Sequence, residues 1–107
     1  MKRIISVTTG SRADYGLLVP LLHLILKSSK LELKLIVAGM HLSKKHGMTI
    51  NEIKKDGFKI SSSVNMIPLN NFPFDMSLSL GNGIIGFSRV LKKIKPDINL
   101  ILGDRDE

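Results

Sequence analysis

Residues 2–16 read KRIISVTTGSRADYG, and this stretch decides the fold that the sequence predicts. Its first part, Lys2 to Thr8, is a short apolar run rich in β-branched residues, which is typical of a buried strand. Thr9-Gly10-Ser11 follows as a tight loop, and apolar residues then recur at helical spacing. Because Pro20 would disrupt a helix interior, we expect this helix to begin close before it, near Gly16.

The rest of the chain continues the alternation of strands and helices. Further strands are predicted at 31–38, 58–66 and 98–102, a weaker helix at 43–55, and a long helix from about Phe74 to Lys95. The glycines of the long helix lower its intrinsic stability. They allow either a close approach to a strand or ligand, or a kink. The positions of the long helix that we expect to be buried are Leu78, Ile84, Ile85, Val90, Leu91 and Ile94.

This order of elements is typical of an α/β protein, a Rossmann-like parallel sheet with helices on both faces. Double winding gives the four strands the order 3-2-1-4. The first and fourth strands are then neighbours whose connections leave in opposite directions. Such folds bind ligands in the crevice between the carboxyl ends of these two strands.

Gly10 and Arg12 follow the first strand at this crevice and are candidates for contacting an anionic ligand. Gly10 permits a tight turn and a close backbone approach. The start of the next helix offers free N–H groups with partial positive charge, and Arg12 adds a planar fork that suits phosphate oxygens. The predicted site therefore binds a diphosphate, and the alternative for Arg12 is a surface salt bridge with Asp14.

Asp104 and Arg105 follow the fourth strand, where we expect them to face the same crevice. Asp104 suits acid–base chemistry or a bond to a sugar hydroxyl, and Arg105 suits neutralisation of a diphosphate leaving group. The alternative is an internal Asp–Arg pair that only shapes the loop. His41, after the second strand, is a second-rank candidate for ligand contact, with loop packing as the alternative.

Composition narrows the function classes. The net charge of +7 comes from scattered lysines, and only 5% of the residues are aromatic, so we expect a solvated basic surface and no nucleic-acid partner. No apolar run approaches membrane-spanning length, and no signal peptide is recognisable, so a cytoplasmic protein is expected. With no cysteine and three scattered histidines, the sequence predicts no metal site. It also lacks the glycine motifs of dinucleotide dehydrogenases and P-loop NTPases.

Several segments, in order over the whole chain, resemble the hydrolysing UDP-N-acetylglucosamine 2-epimerase family. They are Thr9 to Leu18, Val37 to Ser43, Ile53 to Phe58, Gly83 to Phe87 and Lys95-Pro96-Asp97 through Gly103-Asp104-Arg105. The resemblance implies the N-terminal part of a two-domain GT-B-like fold, the architecture of UDP-glycosyltransferases and glycogen phosphorylase. It implies conversion of UDP-N-acetylglucosamine to N-acetylmannosamine and UDP, by elimination to a glycal and then hydration with inversion at C2. That product feeds sialic-acid-type sugar synthesis, and relatives in legionaminic acid synthesis act on diacetamido sugars.

The resemblance assigns diphosphate contacts to Arg12 and Arg105 and the active-site aspartate to Asp104. It implies neither a metal nor a nicotinamide cofactor. The family usually has an aromatic residue after Gly-Asp-Arg, where this chain has Asp106.

We expect residues 1–107 to be a partial N-terminal domain without the second, uridine-binding domain. Such a truncated chain is expected to be marginally stable and inactive, with apolar surface uncovered beside the fourth strand. The alternatives are a GT-B glycosyltransferase, a UDP-diacetamido-sugar 2-epimerase and a non-catalytic nucleotide-binding remnant. Whether the full-length protein is a homo-oligomer stays open.

Overall fold

The computed structural model describes residues 2–10, 12–39, 49–66 and 73–102, without the side chain of Arg12. Within these ranges four strands alternate with three helices. The elements are β1 (Arg3–Thr9), α1 (Arg12–Lys27), β2 (Leu31–Ala38), α2 (Ile50–Lys55), β3 (Ile60–Val64), α3 (Pro73–Ile94) and β4 (Ile98–Leu100). The predicted succession of elements is therefore confirmed, although β3 and β4 are shorter than expected. The predicted beginning of the second helix lies outside the described residues.

The four strands form one sheet in the order β3-β2-β1-β4, with every neighbouring pair parallel. β1 pairs with β2 along its whole length, from Arg3 with Leu31 to Thr9 with Val37. On its other side, β1 pairs with the short β4 from Ile5 with Ile98 to Val7 with Leu100. The predicted strand order and the α/β fold class are thereby confirmed.

Each face of the sheet carries its own apolar core. On one face, side chains of β1 and β2 pack against α1, α2 and Phe58, with Val7, Leu22, Leu35 and Ile53 fully buried. On the other face, Ile36, Ala38, Val64 and Met66 pack against the second half of α3. Because side chains alternate along a strand, burying both faces makes β2 continuously apolar from Leu35 to Ala38.

Helix α1 begins at Arg12, four residues before the predicted start near Gly16, so that expectation was wrong. Pro20 lies inside the helix, where its missing N–H leaves the carbonyl of Gly16 without its usual partner. Both residues are exposed, so water can reach that carbonyl. The helix therefore tolerates the proline because it falls on the solvent side, while Tyr15, Leu18, Leu22 and Ile25 are buried on the other side.

The buried face of α3 differs from the predicted one. Leu78, Ile84 and Ile85 are each at least half exposed. Val90, Leu91 and Ile94 are partly buried, and the buried positions of α3 are Ser79 and Gly83. Small residues take the sheet-facing positions of the first half of the helix, because the backbone of α3 approaches the sheet closely there.

The glycines of α3 explain that close approach. A Cβ atom built on Gly86 would lie 2.7 Å from Val64 Cγ1, and one on Gly83 would lie 3.0 Å from Met66 Cε. Both distances are shorter than packed carbon atoms adopt. Of the predicted alternatives, the structure shows a close approach to strand β3 at Gly86 and to Met66, just after β3, at Gly83.

A tight connection ties α3 to the sheet. Lys95 has a positive φ of 50°, the left-handed conformation that ends many helices, and Pro96 prevents the helix from continuing. Asp97 then bonds twice to Ile4: its N–H donates to the Ile4 carbonyl at 2.9 Å, and its carboxylate accepts from the Ile4 N–H at 2.7 Å. This pair fixes the start of β4 beside β1, which places the carboxyl ends of the two strands next to each other.

Candidate diphosphate site

The two strands predicted to border the crevice, β1 and β4, are neighbours, as expected. Val7 of β1 is paired with Leu100 of β4, and both strands run in the same direction. Gly10 follows β1 directly and is buried. The segments that follow β1 and β4 therefore leave the sheet from adjacent positions on its carboxyl edge.

The turn after β1 is short and closely packed. Gly39, which follows β2, has a φ of +61°, and a Cβ atom built on it would lie 2.9 Å from the carbonyl oxygen of Gly10. A side chain at position 39 would thus be strained by its backbone conformation and would also meet main-chain atoms. The two glycines bring the ends of β1 and β2 together and fix the carbonyl of Gly10.

Helix α1 begins two residues after Gly10, so its amino-terminal end lies at the carboxyl edge of the sheet. The first N–H groups of a helix have no intrahelical acceptor, and the aligned peptide dipoles give this end partial positive charge. Arg12 is the first residue of the helix. A buried glycine followed by the start of a 16-residue helix is an arrangement suited to phosphate oxygens.

The side chains proposed for the chemistry lie outside the described residues. These are His41, Asp104, Arg105 and the side chain of Arg12. What the structure places is the backbone of Gly10 and Arg12 and the two strands that lead to this edge. The direction and adjacency of β1 and β4 agree with the expected convergence of Arg12 with the Asp104–Arg105 pair, which stays a prediction.

A groove of about 340 Å³ opens beside this edge, between α3 and the β1–β4 pair. Its polar lining includes Thr8 from β1, Asn99 from β4 and Ser88 from α3. Ser6 lies two residues before Thr8 in β1, on the same face of the sheet, and is fully buried. Its Oγ donates to Asn99 Oδ1 at 2.8 Å. The sequence did not single out these residues, because a lone serine or threonine in an apolar strand carries no motif.

One contact near the site was missed by sequence reasoning. Tyr15 is buried and its hydroxyl donates to Asp56 Oδ2 at 2.6 Å. Burial first, and then this hydrogen bond and the Asp56 charge, raise the pKa of Tyr15 above its usual range. The spacing of Tyr15 with Leu18 and Leu22 is the signal that places it on the buried face of α1.

Neither a metal cluster nor a membrane-spanning helix is found in the described part of the chain. Residues 2–10, 12–39, 49–66 and 73–102 contain no group of three or more His, Cys, Asp or Glu side chains able to hold a metal ion. None of the helices described within those ranges is long and apolar enough to cross a membrane.

Comparison with known proteins gives a consistent match. A family model described as UDP-N-acetylglucosamine 2-epimerase matches residues 24–107. A UDP-N,N'-diacetylbacillosamine 2-epimerase (hydrolyzing) of Legionella pneumophila is 39% identical over 107 residues, covering 100% of this chain and 28% of the relative. A UDP-N-acetylglucosamine 2-epimerase of Neisseria meningitidis is 40% identical over 111 residues, covering 100% of this chain and 27% of the relative.

Solved structures show the same fold. The crystal structure of UDP-GlcNAc 2-epimerase from Neisseria meningitidis bound to UDP-GlcNAc superposes with a TM-score of 0.71 at 19% identity. That match covers 97% of this chain and 26% of the other. The chain thus spans about a quarter of the length of the proteins it matches. With the family model covering most of its residues, this chain belongs to the UDP-N-acetylglucosamine 2-epimerase family.

Proposed function

We propose that this chain supplies the diphosphate-binding part of a hydrolysing UDP-N-acetylglucosamine 2-epimerase. The observation that carries the proposal is the turn at Gly10. This buried glycine lies against Gly39, and helix α1 begins two residues after it. The strand that precedes it, β1, is paired with β4. An anion at this edge would meet the partial positive charge of the amino-terminal end of α1 and the Arg12 charge, while the strand that leads to Asp104 and Arg105 ends next to it.

The proposed reaction has two stages. In the first, a base removes the proton on C2 of the sugar while the C1–O bond breaks, so that UDP leaves and a glycal forms. In the second, water adds across the double bond, with hydroxyl going to C1 and a proton to C2 on the face opposite the original one. The product is N-acetylmannosamine.

The chain's own residues divide these tasks. Arg12, the start of α1 and Arg105 stabilise the charge that develops on the leaving diphosphate, which is the step where fixed positive charge lowers the barrier. Asp104 takes part in proton transfer or holds a sugar hydroxyl. His41 is a further candidate for ligand contact.

We further propose that turnover requires a second, uridine-binding domain. The relatives are three to four times as long as this chain, which covers 28% and 27% of two of them. The 107-residue chain by itself is expected to release no N-acetylmannosamine. A cytoplasmic location is part of the same proposal, and cell fractionation tests it.

Two sugar nucleotides are candidate substrates. The Legionella relative is named for a diacetylbacillosamine nucleotide and the Neisseria relative for UDP-N-acetylglucosamine, and the identities of 39% and 40% do not separate them. The experiment therefore offers both substrates to the protein encoded by the complete gene, with the 107-residue chain as the matched control. Proton NMR follows the free sugar and UDP.

The expected result is free 2-epimerised sugar and UDP from one of the two substrates with the complete protein, and none with the control. Sugar transfer to an added acceptor, without free sugar, would contradict the epimerase and support a glycosyltransferase. UDP binding by the complete protein without turnover would contradict it in favour of a non-catalytic remnant.

A further inference from the structure

The contact between Tyr15 and Asp56 links the start of α1 to a distant part of the chain. Tyr15 lies three residues after Arg12, which is the first residue of the helix. Its hydroxyl donates to Asp56 Oδ2 at 2.6 Å across 41 residues of sequence. Its ring stands edge-on to Phe58, with centroids 6.1 Å apart and planes at 88°. The tyrosine is thus held at both its ring and its hydroxyl.

Asp56 stands at an unusual place for a carboxylate. It is the C-cap residue of α2, and the carboxyl end of a helix carries partial negative charge, so an acidic side chain there is disfavoured. The hydroxyl of Tyr15 offsets that cost, because a hydrogen bond to an ionised acceptor is stronger than one between neutral groups. The position of the acid at this helix end is therefore explained by its bond to α1.

The backbone around Asp56 makes it a rigid anchor. The N–H groups of Asp56, Gly57 and Phe58 donate to carbonyls of α2 at 3.0, 3.1 and 3.4 Å. Gly57 has a φ of +91°, the left-handed conformation that closes a helix. Phe58 is buried and continues toward β3. The backbone of Asp56 is thus held by α2 on its amino-terminal side and by the buried Phe58 on its carboxyl-terminal side.

Among the described residues of α1, the buried side chains other than Tyr15 are aliphatic and form no hydrogen bond, and the exposed His23 ring contacts Phe58 with centroids 5.1 Å apart. Leu18, Leu22 and Ile25 pack against the sheet through apolar surface. Such packing keeps α1 on the sheet, but because it is non-directional it only weakly fixes how the helix is rotated about its own axis. A hydrogen bond has a preferred distance and angle. We propose that the Tyr15–Asp56 bond is a positioning device that sets the first turn of α1, and with it the position of Arg12 and of the amino-terminal end of the helix relative to the diphosphate.

This inference rests on the proposed function and deepens it, since it adds Tyr15 and Asp56 as positioning residues for the same site. Small misplacement of a group that binds a reacting substrate is costly, up to about 100-fold in rate for about 1 Å. Tyr15→Phe keeps the ring against Phe58 and removes only the hydroxyl. We expect it to raise the KM of the complete protein for its UDP-sugar, and its Kd for UDP, about 10-fold, with a smaller change in kcat.

The experiment compares six variants of the protein encoded by the complete gene. Tyr15→Phe, Asp56→Ala and their double variant are expected to weaken UDP binding equally in calorimetry, since each breaks the same bond. Asp56→Asn keeps an acceptor oxygen and is expected to retain most of the affinity. Tyr15→Phe is also made in an Arg12→Ala background, where we expect a smaller further loss of UDP affinity because only the amino-terminal end of the helix is left to be positioned.

The outcomes separate this inference from the proposed function. If the unaltered protein binds no UDP, the proposed function fails and the positioning role fails with it. If the unaltered protein binds UDP and Tyr15→Phe binds it equally well, only the positioning role is overturned. An equal loss of affinity from Tyr15→Phe with and without Arg12 would also overturn it, because the bond would then serve the fold alone.

Discussion

At the scale of single residues, the carboxyl edge depends on what glycine permits and on one buried hydroxyl. Gly39 adopts a φ that other residues rarely adopt, and it lies against the Gly10 carbonyl where no Cβ would fit. Tyr15 donates to Asp56 from the first turn of α1. These contacts hold the ends of β1 and β2 together and fix the first turn of α1.

The alkaline stability of the chain is expected to depend on Tyr15. Its pKa is raised above the ordinary value of 10.0 by burial and by Asp56, so the folded chain keeps a proton that the unfolded chain releases. The stabilisation is complete below about pH 10 and is lost as the pH rises above that value. Urea unfolding across this range should show a decline for the unaltered chain that Tyr15→Phe lacks.

A spectroscopic control is available because Tyr15 is the only tyrosine of the 107 residues and there is no tryptophan. Tyrosinate absorption of the chain therefore reports this side chain alone. Ionisation of the folded chain near the ordinary value of 10.0 would show that Tyr15 is neither buried nor bonded, against the structure.

Only part of the residue detail was accessible from the sequence. Gly10 was predictable because a glycine between an apolar strand and a helical pattern has few other roles. The Tyr15–Asp56 bond was not, because it joins residues 41 positions apart and no local pattern pairs a helix start with the end of another helix. His41, Asp104 and Arg105 stay predictions.

At the scale of elements, α3 shows how small residues decide which face is buried. Gly86→Ala would place a Cβ 2.7 Å from Val64 Cγ1. Val64 is a branched side chain in the core with little room to move. We expect a loss of about 1–2 kcal/mol in the free energy of unfolding, since overpacking exceeds the gain in helix propensity. Denaturant unfolding measures the change.

Two matched variants make that test specific. Gly81 lies in the same helix with open space around it, so Gly81→Ala should stabilise the chain by about 0.5–1 kcal/mol. Combining Gly86→Ala with Val64→Ala removes the clashing methyl group, so its cost should be less than the sum of the two single changes. Strict additivity would show that α3 and β3 do not touch at this point.

Element types were predictable from periodicity, but two local details were not. Helix α1 extends upstream of Pro20. It accommodates the proline because Pro20 and Gly16, whose carbonyl loses its partner, both lie on the exposed side of the helix. In α3 we expected large apolar residues to face the sheet. Gly83 is buried there instead, while Ile84 remains 61% exposed. Periodicity identifies an apolar stripe along a helix. How closely that helix packs depends on the strand that it meets, which the sequence alone does not identify.

At the scale of the whole molecule, the strand order was predictable because right-handed crossovers leave few arrangements for alternating strands and helices. The expected apolar surface beside the fourth strand is also observed, since Ile98, Ile101 and Leu102 are 50%, 67% and 42% exposed. The structure therefore has the paired carboxyl ends of β1 and β4 next to an uncovered apolar margin. Both features agree with a chain that spans about a quarter of its relatives.

The central claim is that the segments after β1 and β4 converge on one diphosphate. A crystal structure of the protein encoded by the complete gene, with UDP bound, tests it most directly. The expected result is that the Arg12 and Arg105 guanidinium groups both lie about 3 Å from diphosphate oxygens. UDP bound elsewhere, or Arg12 and Arg105 turned to opposite sides of the sheet, would contradict it.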